Sequence, residues 1–215
     1  MKVYGKNPVL ERIKADPKSV RKLYIQEGHS DAGYLYKKAK KWGIPVHAVP
    51  KSKMDKMGRN LNTQGIMAEI GEFLYADYSV LLEEAVLKKR CLVFLDGLTD
   101  PQNLGGILRS LACLGKFAVI LPTHDSVGVT EAVLRVACGG DNFVPVARVG
   151  NLGKALKEAK DAGFFITGAV VGDGEDLRTA VFQFPLGLVI GSEQKGIRPV
   201  IQKYLDQTLT LPMAQ

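Results

Sequence analysis

Cysteine is scarce in this 215-residue chain: Cys91, Cys113 and Cys138 form no CxxC pair and leave one over. That pattern argues against a disulfide framework or a thiolate metal site, and the thiols read as buried packing residues of a reduced, cytoplasmic protein. No apolar run approaches the roughly 20 residues needed to cross a bilayer. The start, Met1 to Pro8, lacks the apolar core of a secretory signal. Neither GxxxxGK[ST] nor GxGxxG occurs, and Gly172-Asp173-Gly174-Glu175-Asp176 reads only as a loop. His29, His47 and His124 have no metal-ligand spacing, so no metal is expected, and no Ser–His–Asp grouping can be placed. With 46% hydrophobic and 24% charged residues, the composition also excludes collagenous, disordered and coiled-coil chains.

What the chain does have is positive charge, on one side of its middle. The net charge is +7. Residues 1–90 hold 18 basic against 10 acidic residues, whereas residues 91–215 hold 11 against 12. The densest stretch contains Lys37, Lys38, Lys40, Lys41, Lys51, Lys53, Lys56 and Arg59 with one acid, Asp55. A solvated surface would explain a modest run. An excess confined to one half favours a polyanion-binding module. A membrane surface fits less well, because no large apolar face opposes the charges.

The pattern predicts α/β architecture in both halves. In the first, Asn7 can cap a helix with Pro8 in its first turn, strands are expected at Leu23–Ile25, Ile44–Val49 and Ile66–Ile70, and a helix over 31–42 turns Leu35, Ala39 and Trp42 inward. Met57 to Gly65 is a polar loop, and Glu72 to Leu82 has no clean period. In the second half, Cys91–Leu95, Phe117–Leu121, Phe143–Val146, Phe164–Ala169 and Leu186–Ile190 are apolar runs. Helical stretches at Gly106–Leu114, Thr130–Cys138 and Leu152–Ala162 separate them. This alternation predicts a mainly parallel sheet covered on both faces. The expected organisation is a small α/β domain over 1–72, a linker over 73–88 and a parallel-sheet domain over 89–215, the first of which the resemblance given below makes an RNA-binding domain.

Ligands of such sheets bind beyond the carboxyl ends of the strands, which directs attention to three inserts. The first runs from Asp96 to Arg109, where Asp100-Pro101 precedes Asn103, Gly105-Gly106 and a helix bearing Arg109. Glycines permit close backbone approach, and an Arg near a helix start favours an anion. The second is Gly191-Ser192-Glu193-Gln194-Lys195-Gly196, and the third is Leu211-Pro212-Met213.

Taken together, these inserts resemble the SpoU, or TrmH-like, family of RNA ribose 2′-O-methyltransferases of the SPOUT superfamily. Asp100, Pro101, Asn103, Gly105, Ile107 and Arg109 match its first motif; Gly191, Glu193 and Gly196 match its second; Leu211-Pro212-Met213 opens its third. Tyr4 to Val9 and Gln64-Gly65-Ile66 resemble the substrate-binding domain of larger members, which is similar to a small ribosomal RNA-binding protein fold. The likeness is closest to members that methylate a guanosine ribose in 23S rRNA. It implies a trefoil-knotted α/β domain, S-adenosylmethionine as cofactor, and a homodimer with the active site near the subunit contact. It further implies Asn103, Arg109 and Glu193 as catalytic residues, and Gly168, Gly191, Leu211 and Met213 as cofactor-binding residues. No DNA or membrane partner is implied. A tRNA 2′-O-methyltransferase and a catalytically silent RNA-binding or ribosome-assembly factor are the alternatives. The family's third motif continues beyond Pro-Met, so a C-terminal end of the methyltransferase domain is expected to be missing, with weak or absent cofactor binding by a chain that truly stops here.

Overall fold

A computed structural model describes residues 1–58 and 61–212. By compactness the chain forms two units. One comprises Met1–Leu74, Gly105–Ser110 and Val129–Phe143, and the other takes the remaining residues.

The first unit is built on a four-stranded sheet of order β1-β4-β2-β3, from β1 (Lys2–Tyr4), β2 (Val20–Gln26), β3 (Val46–Val49) and β4 (Ile66–Ile70). Helices α1 (Lys6–Ala15), α2 (Ala32–Lys41) and α3 (Lys51–Met57) accompany it. The sheet alternates strictly enough to separate two faces. Leu23 is opposite Val46 and Ala68, while Tyr24 is opposite His47 and Met67. Met54 of α3 packs with Tyr4, Tyr24, Val49 and Met67 on the Tyr24 face. Helix α2 buries Leu35 and Ala39 and borders a cleft with Val46, on the Leu23 face.

Three expectations change here. The residue capping α1 is Gly5, at φ 90°, and not Asn7, which lies inside the helix with Pro8 in its first turn. Trp42 is 49% exposed and belongs to no inner face, because α2 ends at Lys41 and Trp42 is its C-cap. A whole helix, α3, occupies the lysine run after Pro50.

Arg12 of α1 and Asp141 form a buried ion pair in this unit. Burial is the main influence on the Asp141 carboxyl and pushes it up, against the pull of Arg12. Removing one member leaves the other charge buried and alone, which costs about 3–5 kcal/mol. Asp141→Ala should therefore lower the unfolding free energy by that amount in urea titrations. The double replacement R12M/D141L should lose much less, because two apolar groups leave no orphaned charge.

The second unit is a seven-stranded sheet of order β7-β6-β5-β10-β8-β11-β9, with every pairing parallel. Its strands are β5 (Cys91–Asp96), β6 (Phe117–Pro122), β7 (Val146–Val149), β8 (Phe165–Ala169), β9 (Glu175–Asp176), β10 (Leu186–Gly191) and β11 (Gln207–Thr210). Helices α4 (Tyr78–Leu87), α5 (Pro101–Leu114), α6 (Glu131–Ala137), α7 (Leu152–Asp161) and α8 (Pro199–Gln202) follow the same numbering, and α6 packs in the first unit. Leu92 to Leu95 are all buried, which is why β5 reads as an unbroken apolar run. Leu152, Ala155, Leu156 and Ala159 give α7 one buried stripe.

Of the three cysteines expected in the core, Cys91 is half-buried and Cys113 and Cys138 are exposed. Here too the expected boundaries move. The stretch 73–88, expected as a linker, contains α4, whose Leu81 and Ala85 are buried and whose start is capped by Asp77. Strand β7 starts at Val146, after Pro145, and not at Phe143, which is exposed at the end of a 3₁₀ turn. The last strand, β11, lies between β8 and β9, so the chain re-enters a part of the sheet already laid down. A Cβ added at Gly174 would lie 2.6 Å from the backbone of Leu209. Only glycine lets the 172–176 loop wrap β11 this closely.

Candidate active site

Strand order places the site. Strands β6 and β7 continue to one side of β5, whereas β10 flanks it on the other. The crevice past the carboxyl ends of β5 and β10 is therefore a topological switch point, where open α/β sheets bind ligands. A cleft of about 370 Å³ opens there, lined by Asp96, Gly97, Thr99, Asp125, Arg198 and residues 192–195.

The first insert is less of a loop than its glycines suggest. Asp100 caps α5, its carboxylate accepting from the backbone N–H of Gln102 at 2.7 Å, and Pro101 takes the first helical position. The helix thus starts five residues earlier than expected, with Asn103, Gly105 and Gly106 inside it. Gly105 has a packing reason: a Cβ there would sit 2.5 Å from that of Val136 in α6.

The second insert is a clamp. Gly191 ends β10, and Ser192 and Gly196 exchange two backbone hydrogen bonds of 3.1 and 2.8 Å across the loop. This folds Gly196, at φ 63°, back over Gly191, whose added Cβ would fall 2.1 Å from the Gly196 carbonyl carbon. Both glycines are demanded by the turn. The clamp is tied to β5 from below. Arg198 donates from its backbone N–H at 2.8 Å and from Nε at 2.7 Å to Asp96, which is 0% exposed. Neither Asp96 nor Arg198 stands out in the sequence as a pair. The available signal was an acid ending an apolar strand and an Arg two residues past the clamp.

The two inserts meet at one bond: Asn103 donates its side-chain amide to Glu193. Arg109 is not held with them. Six residues further along α5, it lies about 9 Å along the axis and about 120° round from Asn103. It is exposed, and no carboxylate among the described residues pairs with it. Its backbone supports the chain at Gly140, where an added Cβ would lie 2.9 Å from the Arg109 Cα.

The other expected residues fall in distinct places. Gly191 is at the clamp. Gly168 is buried in β8, and an added Cβ would strike Leu205 at 2.5 Å and Ile197 at 3.0 Å, so packing explains this glycine. Leu211 lies just past β11 and is 63% exposed. Met213 and Arg59 lie outside the described residues. Lys37, Lys38, Lys40 and Lys41 are on α2, while Lys51, Lys53 and Lys56 are on α3. The basic run is therefore divided between the two faces of the first sheet. Among the described residues no group of three His, Cys, Asp or Glu could hold a metal, and no helix is long and apolar enough to cross a membrane.

Residues 90–215 match the family model described as the SpoU rRNA methylase family, and residues 2–76 match that for RNA 2′-O ribose methyltransferase substrate binding. The chain belongs to the SpoU methylase family. Among SpoU relatives, a TrmH family tRNA/rRNA methyltransferase of Bacillus subtilis, YacO, is 37% identical over 99% of this chain and 86% of its own length. A TrmH family tRNA/rRNA methyltransferase of Staphylococcus haemolyticus is 35% identical over 98% of the chain and 86% of its own. An AdoMet-bound rRNA methyltransferase from Sinorhizobium meliloti has the same fold, with a TM-score of 0.80, 20% identity and coverage of 100% of this chain and 78% of that one. The SpoU architecture thus extends through both units.

Proposed function

We propose that this SpoU-family chain transfers a methyl group from S-adenosylmethionine to a ribose 2′-hydroxyl of structured RNA, a guanosine of 23S rRNA being the target. The observation that carries this reading is the Asn103–Glu193 bond, which joins the first turn of α5 to the clamp beside the cleft at the β5/β10 switch point. The relatives are named for both tRNA and rRNA. The rRNA choice rests on the resemblance of the N-terminal residues to rRNA-directed members. The reading puts the enzyme in the cytoplasm with its RNA.

The described residues fit the cofactor. Gly191 ends β10 at the clamp and Leu211 presents exposed apolar surface just past β11, while Asp125 and Glu193 offer negative charge to a cation in the adjoining cleft, which Lys195 also lines. When bound, the cofactor supplies a methyl group on a positively charged sulfonium, a good leaving group. The protein's task is then alignment of the ribose oxygen and stabilisation of the charge it develops, each worth several kcal/mol. Glu193 holds the Asn103 amide, leaving the amide oxygen to accept from a ribose hydroxyl. Arg109 supplies positive charge beside the oxyanion; a guanidinium keeps its proton too firmly to serve as the base by default, so the hydroxyl proton passes to an RNA phosphate or to solvent as the ribose oxygen takes the methyl group and the sulfur departs with the bonding pair.

The position of Arg109 on α5 favours a homodimer in which it serves the Asn103–Glu193 pair of a second copy. Mixing inactive R109A with inactive E193A should then restore measurable activity, with a ceiling of about one quarter of wild-type sites for random pairing. Absence of rescue in a mixture shown to exchange subunits would place Arg109 and the pair in one subunit.

The deciding experiment supplies labelled cofactor with 23S rRNA and with bulk tRNA, and maps the product as a nucleotide resistant to alkaline cleavage. Label in 23S rRNA at a guanosine is the expected result. Label in tRNA alone would move the substrate, and binding of RNA without label in either would leave the silent-factor reading.

A further inference from the structure

Helix α2 and its C-cap carry three exposed aromatic residues, Tyr34, Tyr36 and Trp42, among four lysines. Two of those lysines are engaged: Lys38 lies over the Tyr34 ring at 5.5 Å and Lys41 over the Trp42 ring at 5.6 Å. Lys37 and Lys40 have no ion-pair partner among the described residues. With Tyr36 they line the side of the helix that faces β3. There a cleft of about 570 Å³ opens, lined by Tyr36, Lys37, Lys40, Gly43, Ile44 and Val46. Its size is that of small-ligand sites, which run from roughly 300 to 1,000 Å³.

The lining has a definite chemistry. Ile44 is 6% exposed and Val46 half-buried, which gives the cleft an apolar floor. Tyr36, 40% exposed, offers one ring at its wall. Gly43, at φ 66°, ends the helix turn, and a Cβ there would meet nothing within 4 Å, so the mouth is open. The helix dipole accounts for lysines in the last turn of α2. It does not account for an exposed tyrosine beside an apolar cleft. A flat π-system beside two unpaired cations matches a flat heterocycle with phosphates next to it.

We propose that this cleft holds an unpaired nucleotide of the RNA, its base stacked on Tyr36 and its flanking phosphates held by Lys37 and Lys40. The inference rests on the reading of the chain as an RNA enzyme. It adds that the first unit grips a single-stranded or bulged position rather than a continuous duplex, because only an unstacked base exposes a free π-face. The lysines of α3, on the other face of the sheet, lie outside this site and serve only general attraction.

The test uses the full chain and a fluorescein-labelled unstructured RNA of about twelve nucleotides, with the same sequence annealed as a blunt duplex for comparison. Tyr36→Ala should weaken single-strand binding by about tenfold, in line with alanine replacements at stacking sites. Duplex binding should stay within about twofold. Tyr36→Phe should retain single-strand affinity, since the ring remains. The pair K37Q/K40Q should weaken both RNAs and flatten the salt dependence. With 4-thiouridine in the single strand, irradiation should attach the RNA to the peptide containing Tyr36. Equal effects of Tyr36→Ala on both RNAs, no effect on either, or attachment confined to other peptides would overturn the proposal, with circular dichroism confirming that the variant is folded. If the wild type methylates RNA while Tyr36→Ala is neutral, the cleft assignment fails and the enzyme reading stands. If the wild type neither binds nor methylates any RNA, both fail together.

Discussion

Arg109→Ala is expected to lower the rate of methyl transfer by about 10²–10³-fold, the loss seen when one preorganised charge-stabilising donor is removed. Cofactor affinity, read by calorimetry, should stay close to that of the wild type, because Arg109 lies about two helical turns from the clamp end of α5. Arg109→Lys should recover little, since an ammonium is a point charge without the planar fork of a guanidinium. Stability should change by less than about 0.5 kcal/mol, as befits an exposed, unpaired side chain. Unchanged turnover in R109A would remove Arg109 from the chemistry. A parallel collapse of stability would instead make the Arg109 side chain a structural support of α5.

Gly191→Ala should act in the opposite way, on structure first and chemistry in consequence. The new methyl would fall 2.1 Å from a carbonyl carbon and 2.3 Å from two further backbone atoms. No side-chain rotation can relieve a clash with main chain, so the Ser192–Gly196 clamp must open or β10 must shift. A cost of at least about 3 kcal/mol follows, the upper end of overpacking penalties. Thermal unfolding should show it as a fall of Tm, and cofactor binding should be lost along with the displaced Glu193. A contrasting control is Gly106→Ala, inside α5, where an added Cβ meets nothing within 4 Å. That change should be neutral or raise stability by up to about 1 kcal/mol through helix propensity. An unperturbed Gly191→Ala would mean that the clamp is not rigid in solution.

The core strands were legible in the sequence because burial on both faces leaves a continuous apolar signature, as in Leu92-Val93-Phe94-Leu95. The start of α5 was not legible, because Gly105-Gly106 argues locally for a loop. Tertiary packing overrides that preference, with Val136 taking the space that a side chain at Gly105 would need. The lysine-rich α3 was missed for a similar reason. Its single buried contact, Met54, gives no period to read in seven residues. At the site, Asn103 and Glu193 come together across 90 residues of sequence, and motif likeness pointed to both. The Asp96–Arg198 tie beneath them was invisible until β5 and β10 were adjacent, since pairing across a sheet leaves no local spacing. The division of the basic run between two faces of one sheet was likewise a matter of topology, not composition.

The insertion of β11 between β8 and β9 also bears on how the protein is made. Synthesis runs from the N-terminus, so β8 and β9 leave the ribosome before the strand that separates them. Until residues 207–210 emerge, the edge of β8 offers unpaired backbone groups and the 172–176 loop has nothing to wrap. Nascent chains halted short of Gln207 should accordingly be cut by protease in this region while β5, β6 and β7 are already resistant. The strand that completes the sheet is the same one that delivers Leu211 to the proposed cofactor site, so a ribosome cannot release a competent binding loop before the sheet itself can close.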